Sequence, residues 1–165
     1  MRLQQASDRL SRLGNTFYYA IALATLCELY YHREDFGKVY HTAEVARNAD
    51  NGLIDYHLAR IELTVGKAHI DEGKHSEAFE VLCVASDKAL NFNDESFRGA
   101  CSDIFNEVDR VAQQIAPEVA LQLCESYIGF WENKEVALAK QGPVQESLEA
   151  IRQKQAEIEA LLPIA

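Results

Sequence analysis

The sequence predicts an all-α fold, built as antiparallel helical hairpins stacked one on the next, with about seven to eight helices. Three observations carry this. Ala, Leu, Glu and Gln dominate, while Val and Thr are scattered and only three prolines occur, a mix that favours helix. No segment alternates apolar and polar residues for long enough to make a strand. The breaks between apolar-periodic segments are short, and short breaks force neighbouring helices to run antiparallel.

The first helix covers roughly 1–13, with Leu3, Ala6, Leu10 and Leu13 on one face. Gly14-Asn15 ends it as a left-handed cap would. A second helix runs from Thr16 to about Arg33. It is apolar nearly all round, from Phe17 to Tyr30, and such a helix is sandwiched between neighbours. After Glu34-Asp35 a third helix buries Val39, Tyr40, Ala43, Val45 and Ala46, and Asp50-Asn51-Gly52 makes a turn. The fourth, about Leu53 to Glu72, sets Leu58, Ile61, Val65 and Ala68 on one face, and Gly73 stops it. The fifth, about His75 to Leu90, buries Ala78, Phe79, Leu82 and Ala85. Asp94 is a fitting N-cap for the sixth, which reaches about Ile115. Pro117 suits the first turn of a seventh, expected to continue to about Lys140. Gly142-Pro143 then separates a final helix ending near Leu162. The expected division is a repeat domain over 1–142 and a capping or oligomerisation helix over 143–165.

Composition excludes several function classes. At 48% hydrophobic and 25% charged residues, the 165-residue chain can bury one continuous core. Its formal net charge is -10, with no cluster of Lys and Arg. Neutralising phosphates needs such a cluster, so nucleic acid and anionic membranes are poor partners, and a basic or mixed-charge polypeptide is a better one. No apolar run approaches a membrane span. Cys27, Cys83, Cys101 and Cys124 have no metal-ligand spacing and sit in apolar helical stretches. They read as small buried hydrophobes in a reducing compartment, which places the chain in the cytoplasm. The first residues read like the middle of an amphipathic helix rather than a signal peptide, as a piece of a longer protein would.

The chain also repeats itself. Residues 26–39 superpose on 65–78 at one fixed offset of 39, and the same offset pairs Ala43 with Leu82 and Ala46 with Ala85. Small residues recur where helices must approach closely. The second stretch reads Val65-Gly66, then His69, then Gly73-Lys74, then Ala78, Leu82 and Ala85. This resembles the tetratricopeptide consensus, with Gly66 and Ala78 matching and His69 and Leu82 standing where that family has aromatics. In the first stretch Cys27 replaces the glycine, Tyr30 is the aromatic, and Val39 and Ala46 are the small residues. The likeness covers about 16–92 and continues over 94–140 by architecture alone. The unit exceeds the family's usual length of about 34 residues.

The resemblance implies a right-handed superhelix whose inner surface is made by the first helix of each hairpin. That surface would carry Glu28, Tyr31 and His32 from the first unit, and Arg60, Leu63, Lys67, Ile70 and Asp71 from the second. A groove mixing aromatic, apolar and charged side chains suits a peptide or helix. The expected function is a protein-interaction module, a scaffold or sensor within a larger signalling or regulatory protein. The alternatives are a structural spacer or oligomerisation domain, and a small-ligand or enzymatic helical domain.

No catalytic constellation stands out. His32, His41, His57, His69 and His75 form no tight metal pattern, and His69 and Asp71 are too close in sequence to share a helix face. No phosphate-cradling glycine loop and no GxSxG occurs. The chain is therefore expected to be no enzyme, with no metal or cofactor. Phe130-Trp131 reads as interior packing, with an interface hot spot as the sharper alternative. In the last helix Val144, Leu148, Ile151, Gln155, Ile158 and Leu162 are spaced 4, 3, 4, 3, 4, a heptad seam. It reads as a cap on the open end of the stack, with a homodimeric coiled coil as the alternative.

Overall fold

In the computed structural model, residues 2–12, 14–49 and 55–162 are described. They form eight α-helices and no strand: α1 (Arg2–Arg12), α2 (Thr16–Tyr31), α3 (Phe36–Asn48), α4 (Asp55–Asp71), α5 (His75–Ala89), α6 (Asp94–Gln114), α7 (Pro117–Glu132) and α8 (Leu138–Glu159). The turn read at Asp50-Asn51-Gly52 lies outside the described residues.

Helix ends follow local chemistry. The Asn15, Asp35 and Asn93 side chains accept from the backbone N–H groups of Tyr18, Lys38 and Ser96 and so start α2, α3 and α6. The cap of α6 is thus Asn93, one residue before the expected Asp94. Helices α1, α2 and α4 close with the same motif. Asn15 donates to the Leu10 carbonyl at 3.2 Å, Asp35 to Tyr30 at 3.0 Å and Lys74 to His69 at 2.8 Å. Each motif needs one left-handed residue: Gly14 (φ 66°), Glu34 (φ 57°) and Gly73 (φ 74°). Glu34 and Gly73 are related by the offset of 39, so the repeat extends to its turn. Glu34 carries a Cβ where glycine is cheapest.

Every helix–helix contact joins helices one or two apart in chain order. α2, α4 and α6 stack in succession, and each packs its own hairpin partner, α3, α5 or α7. Such a contact order is that of a linear array, since a closed bundle would bring its first and last helices together. The accessible surface, 9328 Å², exceeds the ~8,200 Å² expected of a compact monomer of this mass.

The core divides into two clusters, and α4 belongs to both. Ile61, Val65 and Ala68 join Leu23, Cys27, Val39, Ala43 and Ala46. Ala59 and Ile70 join a larger cluster reaching through α5, α6 and α7 into α8. The repeat positions Cys27, Val39, Ala43 and Ala46, with Ala78, Leu82 and Ala85, are all at most 3% exposed. At Gly66 an added Cβ would lie 2.9 Å from Leu82 Cδ2. The glycine is what lets Leu82 seat there. One repeat earlier the pair is Cys27 and Ala43, so the larger side chain has changed helix.

An ion pair not foreseen from the sequence, between an exposed arginine and a buried carboxylate, ties α3 to α4. The Glu62 side chain, 5% exposed, accepts from Arg47 Nε at 2.8 Å and Nη2 at 2.5 Å. Burying a carboxylate is costly without such a two-pronged partner.

The C-terminal part differs from expectation. Helix α7 ends at Glu132, where the Asn133 side chain donates to the Gly129 carbonyl at 2.7 Å. Helix α8 starts at Leu138 and runs through Gly142-Pro143. The expected 142/143 boundary therefore falls inside a helix. The start of α8 is fixed elsewhere: Lys140 Nζ donates to the Leu90 carbonyl and lies 5.4 Å from the centre of the Phe97 ring. Pro143, Val144, Ser147 and Leu148 are all buried, so the packing of α8 keeps the proline inside the helix despite its missing N–H. Val144, Leu148, Ile151 and Ile158 are buried in the core that α8 shares with α6 and α7. The seam a homodimeric coiled coil would need is thus covered within the chain. Trp131, 2% exposed, packs edge-on to Phe97, Tyr127 and Phe130, inside the fold.

Two predictions follow from the helix contacts and turns. Gly66→Ala should lower stability by about 1 kcal/mol, overpacking outweighing the gain in helix propensity, while Gly129→Ala, with open space around its Cβ, should raise it by about 1 kcal/mol. Glu34→Gly should raise stability by roughly 0.5 kcal/mol and Gly73→Ala lower it by about 1 kcal/mol. Urea unfolding of the four variants reads both.

Candidate functional site

Because α2 and α6 each pack on α4 but not on each other, a cleft of about 420 Å³ opens between them. Its near wall is Glu28 and Tyr31 of α2, with His32 capping that helix. Its floor is one stripe of α4, Arg60, Leu63, Thr64 and Lys67, at the 0, 3, 4, 7 spacing of a single helix face. Its far wall is the matching stripe of α6, Ser96, Gly99, Ala100 and Asp103, with Ile104 beneath. Those residues are small, which keeps the far wall back. Tyr56, Ala59 and Phe92 complete the lining.

Apart from Asp103, the lysine, arginine and carboxylate side chains around the cleft are paired. Glu28 Oε1 accepts from Arg60 Nη2 at 2.6 Å and from Nε at 3.1 Å. Lys67 Nζ lies 3.7 Å from Glu107. Arg110 bridges α6 to α4 through Asp71 at 3.2 Å and the Lys67 carbonyl at 3.3 Å, and its Nε is 2.8 Å from Glu107. Burial and the neighbouring Asp71 carboxylate push the Tyr31 phenol above its ordinary value, with Arg110 opposing. The Arg60 guanidinium sits 5.9 Å from the Tyr56 ring centre.

Of the eight positions predicted for the inner surface, Glu28, Tyr31, His32, Arg60, Leu63 and Lys67 line this one cleft. Ile70 does not. It is 1% exposed and packs in the larger core cluster, so it offers a guest no surface. Asp71 lies outside the lining and holds Arg110. The sequence reading missed Tyr56, Phe92 and the whole α6 wall. A signal for that wall existed: the offset of 39 that relates Glu28 to Lys67 also relates Arg60 to Gly99 and Thr64 to Asp103. It went unused because the second helix of the third unit breaks register. From α3 to α5 the helix starts are 39 residues apart, and from α5 to α7 they are 42.

The other polar groups are arranged as packing. Tyr40 of α3 stacks on His69 at 4.7 Å, its hydroxyl 3.2 Å from Nδ1, and donates to Glu72. Burial, then Lys74, lowers the His69 pKa, while burial and Glu72 raise that of Tyr40. Both are therefore mostly neutral near pH 7. Burial pushes Cys27 and Cys101 up to about 12 and Cys83 up to about 11, which leaves almost no thiolate as a nucleophile near pH 7. Among the described residues no group of three His, Cys, Asp or Glu converges as metal ligands would. None of the described helices is long and apolar enough to cross a membrane.

No protein-family model, curated protein or solved structure matches the chain.

The Glu28–Arg60 pair is about one-third exposed on both sides, so its contribution is modest. Arg60→Glu should cost up to about 1 kcal/mol, and adding Glu28→Arg should restore most of it. A double-mutant cycle by thermal unfolding measures this, and purely additive effects would show the pair uncoupled.

Proposed function

We propose that the chain is a tetratricopeptide-like repeat array that holds a segment of another protein in the cleft between α2, α4 and α6. In this reading the hairpins wind into a right-handed superhelix and serve as a scaffold or sensor module of a larger regulatory protein. The observation that carries the reading is the cleft itself. Three successive first helices line it, six of the positions expected to face a guest fall on it, and its walls mix tyrosine, aliphatic and charged groups. The interhelix ion pairs hold those walls in place before a guest arrives, which reduces the ordering cost of binding. The thiols, held protonated by burial, offer little nucleophile at neutral pH, which supports a binding role. The spacer or self-associating alternative draws less support, because the seam of α8 is spent on its own core.

Gly99 supplies the test. It is exposed on the cleft wall with open space around its Cβ. Gly99→Trp should fill the cleft while leaving the melting temperature within a few degrees of wild type. Displayed random dodecapeptides selected on the wild-type chain should bind this variant at least about tenfold more weakly, a loss near 1.4 kcal/mol. Equal retention by both proteins would overturn the assignment of binding to this cleft.

A further inference from the structure

We infer that the guest segment is basic, anchored by a lysine or arginine side chain that passes Leu63 on the floor of the cleft to reach Asp103. The inference rests on the binding role proposed above and names the chemistry of its partner. It starts from which charges are already used. Arg60 is held by Glu28, and Lys67 and Arg110 by Glu107 and Asp71. An acidic guest would have to displace those intramolecular carboxylates.

Asp103 stands differently. It is exposed, it lines the wall of α6, and among the described residues no cation lies within ion-pair distance of it. The surface approaching it suits a long amphipathic side chain. Half-buried Leu63, with Ala100 beside it, offers an apolar contact for a methylene stem. Tyr31 and Tyr56 offer ring faces of the kind that attract a cation, as the position of Arg60 near Tyr56 illustrates. The field of the whole chain has the same sign, with a net charge of -10. That field speeds the approach of a basic segment and opposes a second copy of this chain.

The experiment uses three fluorescent dodecapeptide pools whose flanks are drawn from the same small and apolar residues. One central position is fixed as Arg, Leu or Glu. Binding is read by anisotropy on the wild type, Asp103→Asn and Gly99→Trp, with melting temperatures checked alongside. The Arg-centred pool should bind wild type about tenfold more tightly than the Glu-centred pool, and this preference should collapse in Asp103→Asn while Leu-centred binding stays unchanged. If the Leu- or Glu-centred pool binds as tightly as the Arg-centred pool, and Gly99→Trp abolishes that binding, the basic anchor is overturned and the cleft stands. Should binding of every pool survive Gly99→Trp, the cleft reading itself falls.

Discussion

The arrangement depends on one close approach, that of α4 to α5 at Gly66. The buried glycine leaves room for Leu82, whose Cδ2 would lie 2.9 Å from any Cβ placed there. Helix pairs that approach this closely gain many weak dispersion contacts, and a single added methyl forfeits them by forcing the helices or a packed side chain to shift. Helix α4 also contributes side chains to both core clusters. Its seat on α5 therefore fixes the first hairpin relative to everything that follows.

The cleft is a consequence of that stacking. In a linear array the first helices of successive hairpins touch only their immediate neighbours, so the helices on either side of α4 leave a trough above it. Whether the trough stays open is decided by side-chain size on α6, where Ser96, Gly99 and Ala100 stand back. Whether it keeps its shape is decided by the ion pairs across it. Each half-exposed pair contributes little to stability, typically under about 1 kcal/mol. Their larger effect is to fix where the charges sit along the trough.

Much of this was legible in the residues. Helical periodicity gave the elements, and the offset of 39 gave the small-residue positions that are now buried. What failed to show depended on three dimensions. Ile70 has the spacing of a groove residue, but its side chain enters the larger core, a distinction periodicity cannot make. Glu62 reads as a surface carboxylate until Arg47 from the preceding helix is brought over it. Pro143 reads as a helix start because the packing that keeps it inside α8 comes from α6 and α7, which are distant in sequence. The α6 wall of the cleft was hidden because the third unit keeps register in its first helix and loses it in its second.

The central claim is that the hairpins form an open linear array rather than a closed bundle. Solution X-ray scattering of the monomer tests it most directly. A compact domain of 165 residues has a radius of gyration of about 15 Å. The account predicts a value clearly above that, with a pair-distance distribution skewed to long distances. A radius of gyration of about 15 Å with one symmetric peak would contradict it.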